Sequence, residues 1–460
     1  MQIQLVGERP LVPRPSATVG TCRQFSQPPE RQVKPKSDLS HGTAIELVDH
    51  YLDKFCGRPH SIFHQATLRS QVRNGSLNEA LLYAVCAIGC KFSGNPYIRG
   101  QGSSWAAESK RLLQADISNI CLENIQACIL VAMLSVGHGD SASEALFFRI
   151  ATALAEIMSL NSPFPEGSVI DREIRRRVWW SLYMTDMWCI SGQGLHSQLK
   201  GVKAKIELPI NDRTFMSLHS EQLAIVDPLD HGIWAQMITL VPLFGPIHNI
   251  NRLAANGETH TINLDQQVEQ LAGNLEDWKQ KLPIDAQMNH ENLRRQQKRG
   301  LGGLLISIHL AYHHYATLLY FRYLEVQLPR SASDRTYITR FSSSVLVHTL
   351  LFGDLDQLET ASRELNTNFE ALMELSQYWP AISAMIERLL VFQDMCLLST
   401  ESGTHKLDGW MLRFLIEHSL DIEAKKMQVN PSSLNADSEK LSSKAKELTE
   451  QGRYLRFRSP

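Results

Sequence analysis

The sequence predicts an all-α protein, a multi-helical bundle or array. Apolar residues recur at i, i+3 and i+4 along most of the chain, strict period-two alternation is nearly absent, and capping patterns precede two of the apolar stripes. The first helix begins near Thr43, with Glu46 completing a capping box and Ile45, Val48, Leu52 and Phe55 forming its apolar stripe. Helices follow near 78–92, 104–119, 123–137, 143–160 and 170–191. Residues 192–230, which contain Pro209 and Pro228, read as irregular and mark a sub-boundary. A second series runs near 232–255, 263–281, 301–328, 338–360, 364–376, 380–399 and 407–424. Residues 1–40 hold six of the nineteen prolines and little periodicity, so they are predicted to be disordered. From Lys425 to residue 460 a polar tail carries eight basic and four acidic residues and is expected to be solvated or frayed.

Composition narrows the classes. At 460 residues the chain can bury a large core. A formal net charge of −2 gives no global basic field to hold nucleic acid. Eight cysteines without framework spacing suit a reducing compartment. The Pro- and Arg-punctuated start carries no secretory pattern, and no apolar run approaches the eighteen or so residues of a membrane span.

The most informative stretch runs from Asp171 to Asp186 and sets Arg175, Arg176 and Arg177 beside Trp179 and Trp180. Ile174, Val178, Leu182 and Thr185 share one helical face, Glu173 can pair with Arg177 at i,i+4, and Ser168 with Asp171 fits a capping pair. The tryptophans lie within the apolar periodicity, so the arginines read as a first turn that pairs with acidic neighbours and covers the rings. This segment resembles the arginine-rich, double-tryptophan signature of the fungal-specific transcription factor domain, the middle homology region of fungal zinc-cluster regulators. Other segments follow the family in order. Leu47 to Phe63 with His64 to Leu68 is similar to its opening segment, departing at Phe63, Gln65 and Ala66. Leu81 to Ser93, Asn124 to Gly137, and Ala151 to Leu160 resemble the next helices, with Met158-Ser159-Leu160-Asn161 at the turn. Gly194-Leu195-His196 stands where the family has glycine-arginine-proline, and Leu310 to Tyr320 is similar to its tyrosine-histidine helix. The likeness spans roughly 44–400 and is weakest between 200 and 300.

The resemblance implies an all-α regulatory domain over 41–424, a transcription regulator acting in the nucleus on a metabolic or secondary-metabolite gene set, and no enzyme. Full members carry a six-cysteine zinc cluster that places a helix in the DNA major groove. Cys22, Cys56, Cys86 and Cys90 in the first ninety residues lack the convergent spacing that two ions require, and Cys121, Cys128, Cys189 and Cys396 are scattered too. The zinc-cluster module is therefore expected to be absent, either because the regulator lacks its own DNA reader or because the reader lies outside this sequence. No cofactor is expected, and no specific DNA binding by this chain alone. The implied partners are a small-molecule effector, co-regulators or the transcription machinery, and a homo- or heterodimer partner; the implied mechanism is a shift between helix packings. Two alternatives stand beside this: a non-DNA-binding partner of full-length regulators, and a biosynthetic-cluster enzyme.

Helical proteins place pockets between helices, so an effector crevice is expected among the 170–191, 232–255 and 301–328 helices. Trp179, Trp180, Trp234, Tyr312 and His313 are its candidate lining, each of which alone also reads as core. The signature residues are Arg175, Arg176, Arg177, Trp179, Trp180 and Asp186. His309 and His313 have metal-ligand spacing, but Leu310 stands where a zincin needs glutamate; His60 and His64 share the spacing and follow Pro59. Gly300, Gly302 and Gly303 read as a flexible linker end, because no strand precedes them and no lysine–hydroxyl pair follows. The basic run Arg294 to Arg299 reads as a solvated loop or an import signal. No serine has a nucleophile-elbow setting, and no paired-carboxylate or cofactor-loop motif stands out.

Overall fold

A computed structural model of the chain describes residues 39–454, apart from 194, 200, 203, 220–221, 223–229, 258–263, 322–342, 354 and 399–433. Helices joined by turns make up the whole of it, with no strand among the described residues. Helices α1 (His41–Lys54), α2 (Gln65–Arg73), α3 (Glu79–Gly89), α4 (Pro96–Gly100), α5 (Gly102–Ala115), α6 (Leu122–His138) and α7 (Ser141–Ile157) lead to the long α8 (Val169–Gln193). Leu47, Ala84, Ile88, Trp105, Cys128 and Val178 lie at the centre of the core these helices share. Both α3 and α6 are buried on most sides, which is why their sequences are apolar nearly all round. A Cβ at Gly89 would overlap the Leu47 carbonyl, so α1 and α3 cross with their backbones in contact.

Helix α8 carries the chain into a second packed region. There α9 (Asp212–Met216), α10 (Ile233–Leu240), α11 (Phe244–Ala255), α12 (Leu264–Gln280), α13 (His290–Lys298) and α14 (Gly302–Tyr320) surround Met184, Trp234, Leu305, Ile308, Tyr315 and Leu319. A third region comprises α15 (Ser343–Phe352), α16 (Leu355–Ser376), α17 (Ala381–Leu398) and α18 (Leu434–Glu450), packed on Leu346, Leu365, Phe392 and Cys396. Trp379, in the turn between α16 and α17, ties this region to the first. Its ring centroid lies 5.7 Å from that of Phe55, Lys91 Nζ sits 4.5 Å above it, and a Cβ on Gly137 would overlap it.

Several expectations are corrected. The first helix is capped by Ser40, whose Oγ accepts from Thr43 N at 3.1 Å, and its buried face runs through Ala44, Leu47, Val48, Tyr51 and Leu52. The 232–255 helix breaks at Pro242, which cannot donate the helical bond, and a 3-10 turn over Val241–Leu243 separates α10 from α11. The 338–360 helix ends at Phe352, and α16 then runs through 364 without a break. The basic run Arg294 to Arg299 is mostly helix rather than loop, because Asn289 caps α13 by accepting from Asn292 N at 2.7 Å. Gly302 and Gly303 are not a flexible end: they open α14, where a Cβ on Gly303 would overlap the Arg58 side chain. The tail expected to fray is helical over Leu434–Glu450 and docked. Ala445 is buried, Arg453 donates to the Gly353 carbonyl at 3.0 Å, and Tyr454 donates to Asp394 at 2.9 Å. The predicted disorder of 1–40, apart from Leu39 and Ser40, and the helix at 407–424 lie outside the described residues.

Candidate functional site

The arginine–tryptophan helix starts as its sequence demands. Ser168 Oγ accepts from Asp171 N, Asp171 Oδ2 accepts from Ser168 N, and both bonds measure 3.1 Å. Ile174, Val178, Leu182 and Thr185 all point inward, as their spacing predicts. Arg177 stands on the same side and is 0% exposed.

A guanidinium so deeply buried is tolerable only when fully bonded. Arg177 Nε donates to Glu173 Oε1 at 2.9 Å, one terminal nitrogen donates to Ser61 Oγ at 2.7 Å and Asp212 Oδ1 at 3.1 Å, and the other donates to the Ile210 carbonyl at 2.8 Å. Its plane stacks 4.1 Å from the Phe215 ring centroid and lies 5.4 Å from that of Trp234. Glu173 is buried as well; its Oε1 also accepts from Ile210 N at 3.1 Å, and its Oε2 accepts from Arg176 at 2.7 Å. Burial works to raise the Glu173 carboxyl, and the two arginines work to keep it ionised. Asp212 Oδ2 accepts from Trp234 N at the start of α10, and Trp234 Nε1 donates to the Pro59 carbonyl at 2.6 Å. The node therefore fastens α8 to three distant stretches: 59–61, 210–215 and 234.

The other signature residues have separate tasks. Arg175 stacks 4.0 Å from the Phe164 ring centroid. Arg176 reaches Glu207 at 3.7 Å in addition to Glu173. Asp186 accepts from Ser197 Oγ and from the backbone of Gln198 and Leu199, so it pins the segment that leaves α8. Arg176 and Arg177 pair with acids as expected, whereas Arg175 stacks on Phe164 instead, and Arg177 covers Phe215 and Trp234 rather than the tryptophans of its own helix.

The five candidate lining residues do not share one crevice. Trp179 is 1% exposed and points into the first core. Trp180 is half-buried, donates to the Glu207 carbonyl at 2.8 Å, and packs beside the cluster that contains Trp234. Tyr312 belongs to the cluster of α11, α12 and α14, stacked at 5.8 Å on Trp278, with His313 edge-on at 5.3 Å. Burial, with His309 and Lys279 nearby, lowers His313 to about 4. His309 is engaged by the Ala286 carbonyl at 2.9 Å. Burial alone lowers His60 to about 4. Among the described residues, no group of three His, Cys, Asp or Glu side chains is placed to hold a metal ion, and no helix is long and apolar enough to cross a membrane.

A cavity of about 380 Å³ opens beside the node, between α9, the residues entering α10, the 283–286 turn and the end of α13. None of the five expected residues lines it. Sequence reasoning missed this cavity and Asp212. The signal for Asp212 was Asn211, which caps α9 by accepting from Arg213 N at 3.0 Å inside a stretch read as irregular.

Fold and site together define a helical module organised around a buried charge cluster. The family model described as the fungal specific transcription factor domain matches residues 48–280, just over half of the chain. The chain belongs to this family of transcription regulators. It is 23% identical over 342 residues to an uncharacterized transcriptional regulatory protein of Schizosaccharomyces pombe, covering 65% of this chain and 34% of the relative. It is 22% identical over 442 residues to the Zn(2)-C6 fungal-type transcription factor FTF1c of Fusarium oxysporum f. sp. lycopersici, covering 78% of this chain and 46% of that protein. A second S. pombe transcriptional regulatory protein is 23% identical, covering 87% of this chain and 71% of its own length. The chain thus spans between a third and a half of the first two relatives. No solved structure matches it.

Proposed function

We propose that this chain is the regulatory domain of a fungal zinc-cluster-type transcription regulator, acting in the nucleus to bias a DNA-binding module that it carries or associates with. The observation that carries the reading is the family match over 48–280, joined to the way the signature helix is used. Its arginines close a node between segments far apart in sequence, so a small change at one segment is felt by α8, α9 and α10 together. Packed helices respond to such changes by switching between discrete arrangements rather than by bending gradually. Differential binding of a few kcal/mol is enough to move such an equilibrium. On this reading the partners are co-regulators or the transcription machinery, a second regulator chain, and a small-molecule effector; zinc belongs to the DNA-binding module, and the target genes are metabolic.

The test is a reporter assay in a fungal host. The chain is fused to an unrelated DNA-binding module and protein levels are checked by blot. Output is expected to depend on the fused chain and to change with growth condition. An inert fusion under every condition, together with unchanged transcripts on deletion of the gene, overturns the reading.

A further inference from the structure

We propose that the cavity beside the arginine node is a binding site for a small zwitterion of amino-acid type. The cavity is unlike the apolar pockets that take most drug-like ligands. Arg213 and Arg299 line it, as do Asp230 and Asp285, and none of these four makes an ion pair among the described residues. Gln296, also in the lining, is 1% exposed; its amide nitrogen donates to the Asp285 carbonyl at 3.1 Å, and its amide oxygen has no hydrogen-bond partner. A buried amide oxygen without a donor costs free energy until one is supplied. A ligand that brings an N–H donor and carries one positive and one negative group satisfies all three features. Its carboxylate faces the arginines, its ammonium faces the aspartates, and an N–H bonds Gln296. A polyanion would meet the aspartates, and an apolar ligand would leave every one of these groups unanswered.

The position of the cavity gives such a ligand leverage on the node. Asp212 lines the cavity and also bonds Arg177 and Trp234 N. Two of its walls are tied together where Asn211 N donates to the Asp230 carbonyl at 2.7 Å. A Cβ on Gly232 would overlap the Asp212 carboxylate, so there is no slack between the entry to α10 and the node. A ligand that draws Asp230 inward therefore moves the segment that holds Arg177. That binding changes transcription rests on the regulatory reading above; that binding occurs does not.

The test is thermal unfolding of the purified full chain in the presence of each free amino acid in turn, with the matching N-acetyl and carboxamide derivatives as single-charge controls. At least one free amino acid is expected to raise Tm by about 3 °C near saturation. Its single-charge derivatives should not, and the shift should vanish in Arg299→Ala and Asp285→Asn. Arg299 is solvent-exposed and Asp285 half-buried, and neither side chain makes an ion pair among the described residues, so the unliganded Tm of each variant should match the parent and a lost shift reports lost binding. The proposal is overturned if no free amino acid shifts Tm, if the single-charge derivatives shift it equally, or if the shift survives undiminished in both variants. A responsive reporter fusion with no binding in this assay rejects the cavity alone; binding with an inert fusion rejects the regulatory reading alone.

Discussion

At the scale of the residue, the decisive fact is that one arginine is entirely enclosed. Arg177→Ala would strand Glu173 and Asp212 without their shared cation, and breaking a buried pair from one side costs about 3–5 kcal/mol. Urea unfolding should read that loss, and a midpoint within error of the parent would contradict it. The adjacent tryptophans separate cleanly. Trp179→Ala should cost about 3–5 kcal/mol because its ring is fully interior, whereas Trp180→Ala, half-buried and bonded to Glu207, should cost clearly less. His60 sets a pH dependence. Its folded value of about 4 lies below the ordinary histidine value, so between the two the unfolded chain binds the extra proton and stability falls as pH falls. From pH 7 to pH 5 the loss from this one group is about 2 kcal/mol. His60→Asn should flatten that slope in urea titrations at the two pH values.

At the scale of the element, the sequence was most readable where local rules act alone. The cap, buried face and i,i+4 pair of α8 follow from residues within one or two turns of each other, and all were legible. The partners of Arg177 beyond Glu173 were not, because Ser61 and Asp212 lie on other segments and no spacing rule links them. Helix α13 escaped because its buried positions include Asn292 and Gln296, which satisfy backbone carbonyls instead of forming an apolar stripe. Helix α18 escaped because a lysine- and serine-rich composition suggested solvation, whereas Ala445 is buried and Leu448 packs beside it against the third core. The residues expected to line an effector crevice lie in separate clusters for a related reason: large aromatics mark cores as readily as pockets, and the cavity beside the node is lined mostly by polar residues of α9, α13 and the turns around them. Gly137 offers an element-level test. Gly137→Ala should destabilise by about 1–3 kcal/mol by driving Trp379 from its seat. The same change in a Trp379→Ala background should cost much less, and equal costs in the two backgrounds would show that the contact is not the cause.

At the scale of the whole molecule, charge decides what the chain can hold. With a formal net charge of −2 and its signature arginines paired to acids or stacked on a ring, it presents no arginine cluster from that helix to phosphate. Gel-shift titration of this chain at physiological salt should show no sequence-selective duplex binding, and a selective complex in the nanomolar range would overturn that expectation.

The node also sets a condition on which fragments of the chain can close around their own charge. Its cation arrives with α8, one acid comes with it, the second follows at Asp212, and the indole that closes the cage is at Trp234. A polypeptide that ends between α8 and Trp234 would have to enclose a guanidinium whose neutralising and shielding groups are incomplete, and it would do better to leave that helix undocked. A fragment of the N-terminal helices with α8 alone would therefore lack part of the cage that encloses Arg177. The smallest piece that can close around its own charge must reach past residue 234, which places the natural cutting points for dissecting this protein downstream of the signature helix rather than beside it.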